Sequence, residues 1–282
     1  MSDTQQKTEW LPIIKDMCIL VCIMGALGYA CNLAMKPFES VQVTDSLVSL
    51  IRKGGVADGK DATFLKEFAE GCKEHADFVN TPDSTGRTPL MWAVYANFNN
   101  PQLALVKDAD RSYYVRELLA APGVNIHAKD QDGFTALHWA AWSGMPCSTA
   151  LLIKAGLDIN EKEANGYTPL MLAAMRGDDV VVKMLLQLGA DTAATNNDGK
   201  TAAQLADEKG AAYDKRKPAA FQLIYAESRS RSYHATQQLL AGGAPAAASI
   251  DQVLVEATEL VNAAKAEAER EAEEKERQKK AR

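Results

Sequence analysis

The stretch that decides the fold is Asp132-Gly133-Phe134-Thr135-Ala136-Leu137-His138-Trp139-Ala140-Ala141, because the chain repeats it at a fixed interval. It returns 33 positions later as Asn165-Gly166-Tyr167-Thr168-Pro169-Leu170-Met171-Leu172-Ala173-Ala174. After another 33 positions the chain reads Asp198-Gly199-Lys200-Thr201-Ala202-Ala203. Each copy closes alike, on a Leu-rich run and a glycine (Gly156 or Gly189). A period of this length is typical of a solenoid of stacked repeats.

Each part of the repeated stretch has a local structural meaning. The Asp/Asn-Gly pair predicts a turn in which glycine takes a positive φ. The threonine that follows predicts a helix start, with proline or alanine at the first helical position. The Ala-Ala pair keeps this helix thin, and the Leu-rich run predicts a second helix that the next glycine ends. Since no single copy can bury its apolar face alone, the stack is the folding unit.

The repeated segments resemble the ankyrin repeat in their period, their turn glycines and their Thr-Pro-Leu box. The resemblance implies an all-α solenoid of helix-turn-helix units joined by β-turns, with a protein partner bound on its concave side. We expect this domain at residues 44–227, with a capping repeat at 44–80 and about four repeats. The first full repeat departs from the family, because Gly86 lies 47 positions before Gly133. We place the extra residues at about 98–111, in the loop between two helices, and interpret them as a contact element.

The N-terminal region predicts a membrane anchor. After a leader (residues 1–16), residues 17–35 contain no charged side chain, and at 1.5 Å each they nearly match a hydrocarbon thickness of about 30 Å. A cleaved signal peptide and a buried amphipathic helix are the alternatives. The leader is not basic, which disfavours a signal peptide. The segment is apolar on all faces, which disfavours an amphipathic helix. Small residues on one face predict close packing against another membrane helix, although such residues are common in membrane spans: Cys18, Cys22, Gly25, Ala26 and Ala30.

The C-terminal region predicts a linker and one more helix. Residues 241–249 are rich in Gly, Ala and Pro. Residues 250–282 have the helical period, first with an apolar stripe and then with charged side chains alone. The acids come early and the bases late, as the helix dipole favours.

The composition argues against several classes of function. The net charge of −6 does not suggest a nucleic-acid partner. The five cysteines are odd in number and show no metal-binding spacing, so we expect reduced thiols and no metal. The sequence suggests no cofactor and no catalytic constellation, so we expect no enzyme. His138 occupies the histidine position of the repeat, where the resemblance implies a structural role.

Side chains at two variable positions of the repeat are the candidate partner-binding residues. One column follows the turn glycines, and the other follows the Ala-Ala pair. In a stack the two columns lie on the concave side, and aromatic residues there are typical of interfaces. Trp92 and Trp139, which lie between the columns, are expected in the core. The candidate partner-binding residues are Arg87, Tyr95, Phe134, Trp142, Tyr167 and Met175.

Together these patterns predict a non-catalytic, membrane-anchored scaffold or adaptor that binds a protein partner. The alternative is an accessory structural subunit of a larger integral membrane complex, for example a respiratory or photosynthetic one. Both hypotheses imply contact with membrane lipid and a repeat domain in a reducing compartment, at the cytosolic face or at an organellar inner membrane.

Overall fold

The computed structural model describes Cys72 and residues 78–95, 101–214, 223–242 and 245–280. After a short 3-10 helix (Phe78–Asn80), this part of the chain is α-helical and contains no β-strand. The helices are α1 (Pro89–Val94), α2 (Pro101–Ala120), α3 (Ala136–Ser143), α4 (Pro146–Lys154), α5 (Pro169–Arg176), α6 (Asp179–Gln187), α7 (Ala202–Asp214), α8 (Leu223–Ala241) and α9 (Ile250–Lys280).

The helices begin where the repeated box predicts. Thr88 and Thr168 cap α1 and α5, with their side chains accepting hydrogen bonds from the N–H groups of Met91 and Met171. At the start of α3, the cap is completed by His138, whose Nδ1 accepts from the Thr135 N–H at 3.2 Å. The expected helix starts are therefore confirmed.

The helices form two layers. The inner layer consists of α1, α3, α5 and α7, each packed on the next, and the outer layer consists of α2, α4, α6 and α8 in the same order. The core runs between the layers and includes Leu90, Leu137 and Leu170, each about 1 % exposed. The expected stack of helix pairs is confirmed.

Turns connect the repeats to one another as well as closing each one. The Gln131 N–H donates to the Thr85 carbonyl, and equivalent bonds join Ala164 to Asp132 and Asn197 to Asn165. At Gly133, φ is +81°, and a Cβ there would lie 2.9 Å from the backbone nitrogen of Ala164. The glycine is therefore required both by its backbone conformation and by the close approach of the next repeat.

The extra residues of the first repeat form a helix, not the expected loop. Pro101 begins α2, and the helix continues without a break through Ser112 to Ala120. Proline suits the first position of a helix, so the insertion lengthens the second helix of the repeat at its N-terminal end. The prediction of a loop at residues 98–111 is wrong for the part that the structure describes, residues 101–111.

Asp108 joins this added part of α2 to the next repeat. Its side chain is fully buried and accepts hydrogen bonds from the N–H groups of Cys147 (2.6 Å) and Ser148 (3.1 Å) and from the Ser148 hydroxyl. These donors lie in the first turn of α4, whose N-cap residue Met145 provides no side-chain bond. Asp108 therefore supplies the missing cap from a neighbouring helix. Burial raises the pKa of its carboxyl to about 6, although hydrogen bonds from Ser148 and Cys147 act in the opposite direction.

The C-terminal helix lies against the outer layer. α9 packs on α2 and α4 and buries Val253, Ala257 and Val261 at four-residue spacing. Its second half is exposed and carries ion pairs within the helix, such as Lys275 with Glu271. The expected helix and its apolar stripe are confirmed over Ile250–Lys280. In the fourth repeat, α8 continues without a break from Leu223 to Ala241, which lies beyond the expected end of the repeat domain at residue 227.

Candidate functional site

One polar residue organises each turn and so fixes the first column of candidate binding residues. This anchor residue is Asp83, Asp130, Glu163 or Asn196 in successive turns. Its side-chain oxygen accepts hydrogen bonds from the N–H groups two and four residues later. The residue four later is in each case a member of the column after the turn glycine: Arg87, Phe134, Tyr167 and Lys200.

In the first two repeats, the anchor acid also holds a tryptophan. The indole nitrogens of Trp92 and Trp139 donate to the second carboxylate oxygens of Asp83 and Asp130, each at 2.9 Å. Burial alone would raise the pKa of Asp83, but the hydrogen bonds that it accepts from Thr85, from the backbone and from Trp92 lower it. Both tryptophans are buried, at 7 % and 8 % exposed, so the expectation that they belong to the core is confirmed.

Arg87 lies at the centre of a group of rings from two repeats, which we call the Arg87 cluster (Arg87, Trp92, Tyr95, Phe134 and Trp139). Its guanidinium carbon is 4.2 Å from the ring centre of Trp139 and 4.8 Å from that of Tyr95. Tyr95 contacts Trp139 edge-to-face at 4.9 Å, and Phe134 packs on Trp139 at 4.8 Å. The cluster therefore ties the first two repeats together while Tyr95 and Phe134 stay half-buried.

A carboxylate accompanies the cation of this cluster. The Arg87 Nε lies 3.6 Å from the Asp130 Oδ2, and the side chain of Arg87 is 18 % exposed. The rings and this carboxylate together compensate the charge of a largely buried guanidinium.

The two candidate columns meet along the inner layer. Arg87 of the first column stacks on Tyr95 of the second, and in the fourth repeat Lys200 forms an ion pair with Glu208 at 2.8 Å. Between these ends, the second column includes Trp142, whose ring lies 5.2 Å from the guanidinium of Arg176.

The six candidate residues are all half-buried, and the structure distributes them along the stack. Arg87 and Tyr95 lie with Phe134 in the Arg87 cluster. Trp142 packs against the core of the first two repeats, whereas Tyr167 and Met175 pack against the core of the last two. Phe134 makes its ring contacts with Trp139 and His138. The role of the six candidate residues in binding stays a prediction.

Sequence reasoning missed three features of this surface. It did not identify the anchor residues, although an acid or asparagine recurs three positions before every turn glycine. It also missed Arg176, which follows Met175 in the sequence, and the ion pair of Lys200 with Glu208. The eight-residue spacing of that pair equals the spacing of Arg87 and Tyr95, which is the available signal.

His138 has the structural role that the sequence suggested. It is fully buried, and its Nε2 lies 3.0 Å from the Glu161 carbonyl oxygen of the next repeat. Because its Nδ1 accepts from the Thr135 N–H, the neutral ring carries its proton on Nε2 and donates it to Glu161. Burial lowers the pKa of His138, which is consistent with a neutral ring.

Other expected features concern the membrane and metals. The anchor at residues 17–35 and its small-residue face (Cys18, Cys22, Gly25, Ala26 and Ala30) lie outside the described residues. No helix within the described ranges is both long and apolar enough to cross a bilayer. The same part of the chain holds no group of three or more potential metal ligands from His, Cys, Asp and Glu. Its two cysteines, Cys72 and Cys147, are buried free thiols.

Comparison with known proteins agrees with this geometry. The family model described as ankyrin repeats (3 copies) matches residues 56–163, 107–196 and 143–216, which together cover more than half of the chain. No curated protein matches the chain. Ankyrin repeats are typically non-catalytic modules for protein–protein interaction. The chain belongs to the ankyrin-repeat family.

Proposed function

We propose that this chain is a non-catalytic, membrane-anchored scaffold that binds a protein partner through the inner layer of its stack. The observation that carries the proposal is that the candidate residues, from Arg87 to Met175, are half-buried aromatic, arginine and methionine side chains distributed along the stack. Tyrosine, tryptophan and arginine are enriched at the energetic centres of protein interfaces. Since these residues are half-buried, the free protein already orders them, and binding costs little further side-chain entropy.

The stacked arginines suit this function for a second reason. Arg87 and Arg176 each place a guanidinium against an aromatic ring, so that the planar group is held in a defined orientation. A guanidinium fixed in this way presents its donors to a carboxylate or a carbonyl of a partner with little further ordering. We therefore expect the partner to supply acceptor groups beside an apolar contact.

The test measures stability and binding on the same variants. The partner is first identified by affinity purification from native membranes with quantitative mass spectrometry, and its affinity is then measured with purified proteins. Trp142→Ala and Tyr167→Ala are expected to lower this affinity by about 2 kcal/mol or more at each hot spot, whereas Lys209→Ala, at an exposed position, leaves it unchanged. Equal affinities for all three variants would rule out the inner layer as the binding face.

The melting temperature of each variant separates recognition from packing. A half-buried anchor that mainly contacts the partner is expected to cost about 1 kcal/mol or less of folding stability when truncated. A tryptophan that belongs to the core costs about 3–5 kcal/mol. A Trp142→Ala variant with strongly reduced stability would therefore show that this side chain serves the fold.

The membrane anchor is the second part of the proposal. It is supported by the charge-free residues 17–35, which are long enough for a bilayer. The intact chain is expected to stay with the membrane in alkaline carbonate, and its release into the supernatant would contradict the proposal. Ile23→Arg is expected to weaken insertion, because arginine near the centre of a span costs about 2.5–3.5 kcal/mol on insertion scales. Ala211→Arg, in an exposed part of α7, is the control.

The location of the repeat domain is part of the same proposal. The odd number of cysteines favours a reducing compartment, at the cytosolic face of a membrane or at an organellar inner membrane. Treating sealed vesicles with protease tests the topology, because a cytosolic repeat domain is digested without detergent.

The alternative is that the chain is an accessory structural subunit of a larger membrane complex. The small-residue face of residues 17–35 favours it, since such a face allows close packing of membrane helices. Size-exclusion chromatography in mild detergent distinguishes the two functions. A scaffold is expected to run mainly as a single chain, whereas an accessory subunit is expected to co-migrate with several membrane proteins.

A further inference from the structure

The last part of α9 is a charged helix that projects from the stack. Residues 269–280, which we call the arm, are all exposed, whereas the buried residues of α9 (Val253, Ala257 and Val261) lie before it. At a rise of about 1.5 Å per residue, the arm extends about 18 Å. Because the arm buries no side chain, packing on the stack does not account for its length or for its charges.

The arm is stabilised by its own side chains. It contains only Ala, Glu, Gln, Lys and Arg, all of which have high helix propensity. Three ion pairs join a glutamate to a base four residues later, in the order of charges that stabilises a helix. These pairs are Glu271–Lys275 at 3.3 Å, Glu273–Arg277 at 3.6 Å and Glu276–Lys280 at 2.7 Å. The arm can therefore hold its end at a fixed distance from the stack.

The charges of the arm are separated along its length. Residues 269–274 contain four acidic side chains and one basic one, whereas residues 275–280 contain four basic side chains and one acidic one. The four basic side chains, which we call the basic tip, are Lys275, Arg277, Lys279 and Lys280. At 3.6 residues per turn they cover about 200° of the helix circumference, with Glu276 between them. The cations of the basic tip therefore share an end of the helix and not one face.

We propose that the basic tip contacts the anionic headgroups of a lipid bilayer end-on, and that the arm keeps the stack at a fixed distance from this surface. A groove that receives the helix from one side would reach only some of the four cations. A plane across the end of the helix meets all of them. This inference rests on the proposed membrane anchor, which places the chain at a bilayer.

The screening of charges by salt decides whether the arm is attracted to such a surface. The acidic and basic groups are centred about 9 Å apart along the helix, close to the Debye length of about 8 Å at physiological salt. When the tip meets the surface, the acidic group therefore experiences only about a third of the potential at the tip. The net charge of +3 at residues 275–280 thus outweighs both the −3 of residues 269–274 and the helix dipole, which adds about half a negative charge.

The remaining attraction is modest, and this defines what the tip can do. It equals that of one to two elementary charges, which corresponds to roughly tenfold in affinity. Such a contact is too weak to recruit a free protein, because stable attachment to a bilayer takes a second signal. A chain that is already anchored meets the surface at high effective concentration, so the same contact suffices to orient it.

The experiment measures how far a membrane covers the lysines of the tip. The full-length chain is reconstituted in nanodiscs of phosphatidylcholine alone or of equal parts of phosphatidylcholine and phosphatidylserine. Lysines are acetylated with an uncharged N-hydroxysuccinimide ester, and peptide mass spectrometry gives the rates at Lys279 and Lys280 relative to Lys209, which is exposed on α7. These relative rates are expected to be about threefold lower or less in the anionic discs. They are expected to recover at about 1 M salt, where the Debye length is about 3 Å.

Charge variants test whether the basic tip causes the protection. Lys275→Gln combined with Arg277→Gln leaves both reporter lysines in place and keeps residues of high helix propensity. The protection of the reporter lysines in anionic discs is expected to disappear in this variant. Lys162→Gln combined with Lys183→Gln removes the same charge from exposed positions of the stack. This control is expected to keep the protection.

The outcomes separate the tip from the anchor. Co-elution of the chain with phosphatidylcholine discs tests the anchor alone; if the chain stays outside them, the tip is tested by the same labelling on a large excess of anionic vesicles. Equal labelling of the tip on neutral and anionic membranes would overturn the inference, and so would protection that high salt does not remove. Protection in native membranes but not on anionic lipid would assign the tip to an acidic protein, and this too would overturn the inference.

Discussion

Replacing Asp108 with asparagine is expected to change how the stability of this protein depends on pH. The carboxyl group is fully buried and caps α4 from the added part of α2. Its pKa is raised from 3.8 to about 6, mainly because burial disfavours the charged form. Asparagine has nearly the same shape and keeps one acceptor oxygen, but it does not ionise.

The sign of the effect follows from the direction of this shift. Between pH 6 and pH 4 the folded protein retains a proton on Asp108 that the unfolded chain has released. The contribution of Asp108 to the free energy of unfolding therefore increases as the pH falls through this window, and it is smallest above pH 6. The difference between the two pKa values corresponds to about 3 kcal/mol.

The measurement compares urea unfolding of the unaltered protein and the Asp108→Asn variant at several pH values. Their difference in free energy of unfolding is expected to shift by up to about 3 kcal/mol in favour of the unaltered protein between pH 7 and pH 4. Other ionisable groups, His138 included, contribute to both proteins and cancel. Asp132→Asn, which alters an exposed carboxylate, is the control and is expected to give a flat difference. A flat difference for Asp108→Asn, or one of the opposite sign, would refute the reasoning.

Three further predictions concern the joints of the fold. Gly177→Ala is expected to cost about 1–3 kcal/mol more folding stability than Gly189→Ala. Both glycines have positive φ (63° and 86°), but of the two only a Cβ at Gly177 would meet a ring of α8, at 2.5 Å. Equal melting temperatures of the two variants would show that α8 shifts at little cost. Trp139→Phe is expected to cost about 1–3 kcal/mol in chemical denaturation, since Asp130 loses a buried donor, and an unchanged midpoint would contradict this. Deletion of residues 101–111 is expected to unfold the first two repeats by circular dichroism, and a melting temperature within a few degrees of the original would show that this helical addition contributes little to the stability of the stack.

The repeated part of the fold was predictable because its signals are local. A threonine, a proline and two alanines define the start and the thin face of an inner helix within about ten residues, and Gly133 or Gly166 marks the turn before it. The C-terminal helix was predictable for the same reason, since its apolar stripe lies within one segment. Such patterns determine both the element and the face that it buries.

The features that the sequence did not reveal depend on partners distant in the chain. Asp108 caps a helix 40 positions later, and Thr258 contacts Cys147 across 111 positions. Residues 98–111 lack the repeat pattern, so nothing local distinguished a loop from a helix whose stability comes from packing against α4 and α9. The two columns can be read from the sequence, but the degree of burial of their side chains depends on which neighbouring rings and cations they meet, as Arg87 does with Trp139.

The position of α9 has a mechanical consequence. A stack of repeats deforms elastically when it is pulled, because each unit contacts only its neighbours and small rotations between units add up along the stack. α9 crosses α2 and α4 and so stiffens the joint between the first two repeats, which the Arg87 cluster also connects. The start of α9 also reaches the last two repeats, because Val253 belongs to their core and Ile250 and Leu254 pack against it. Because α9 packs mainly on α2 and α4, its removal would loosen the joint between the first two repeats most.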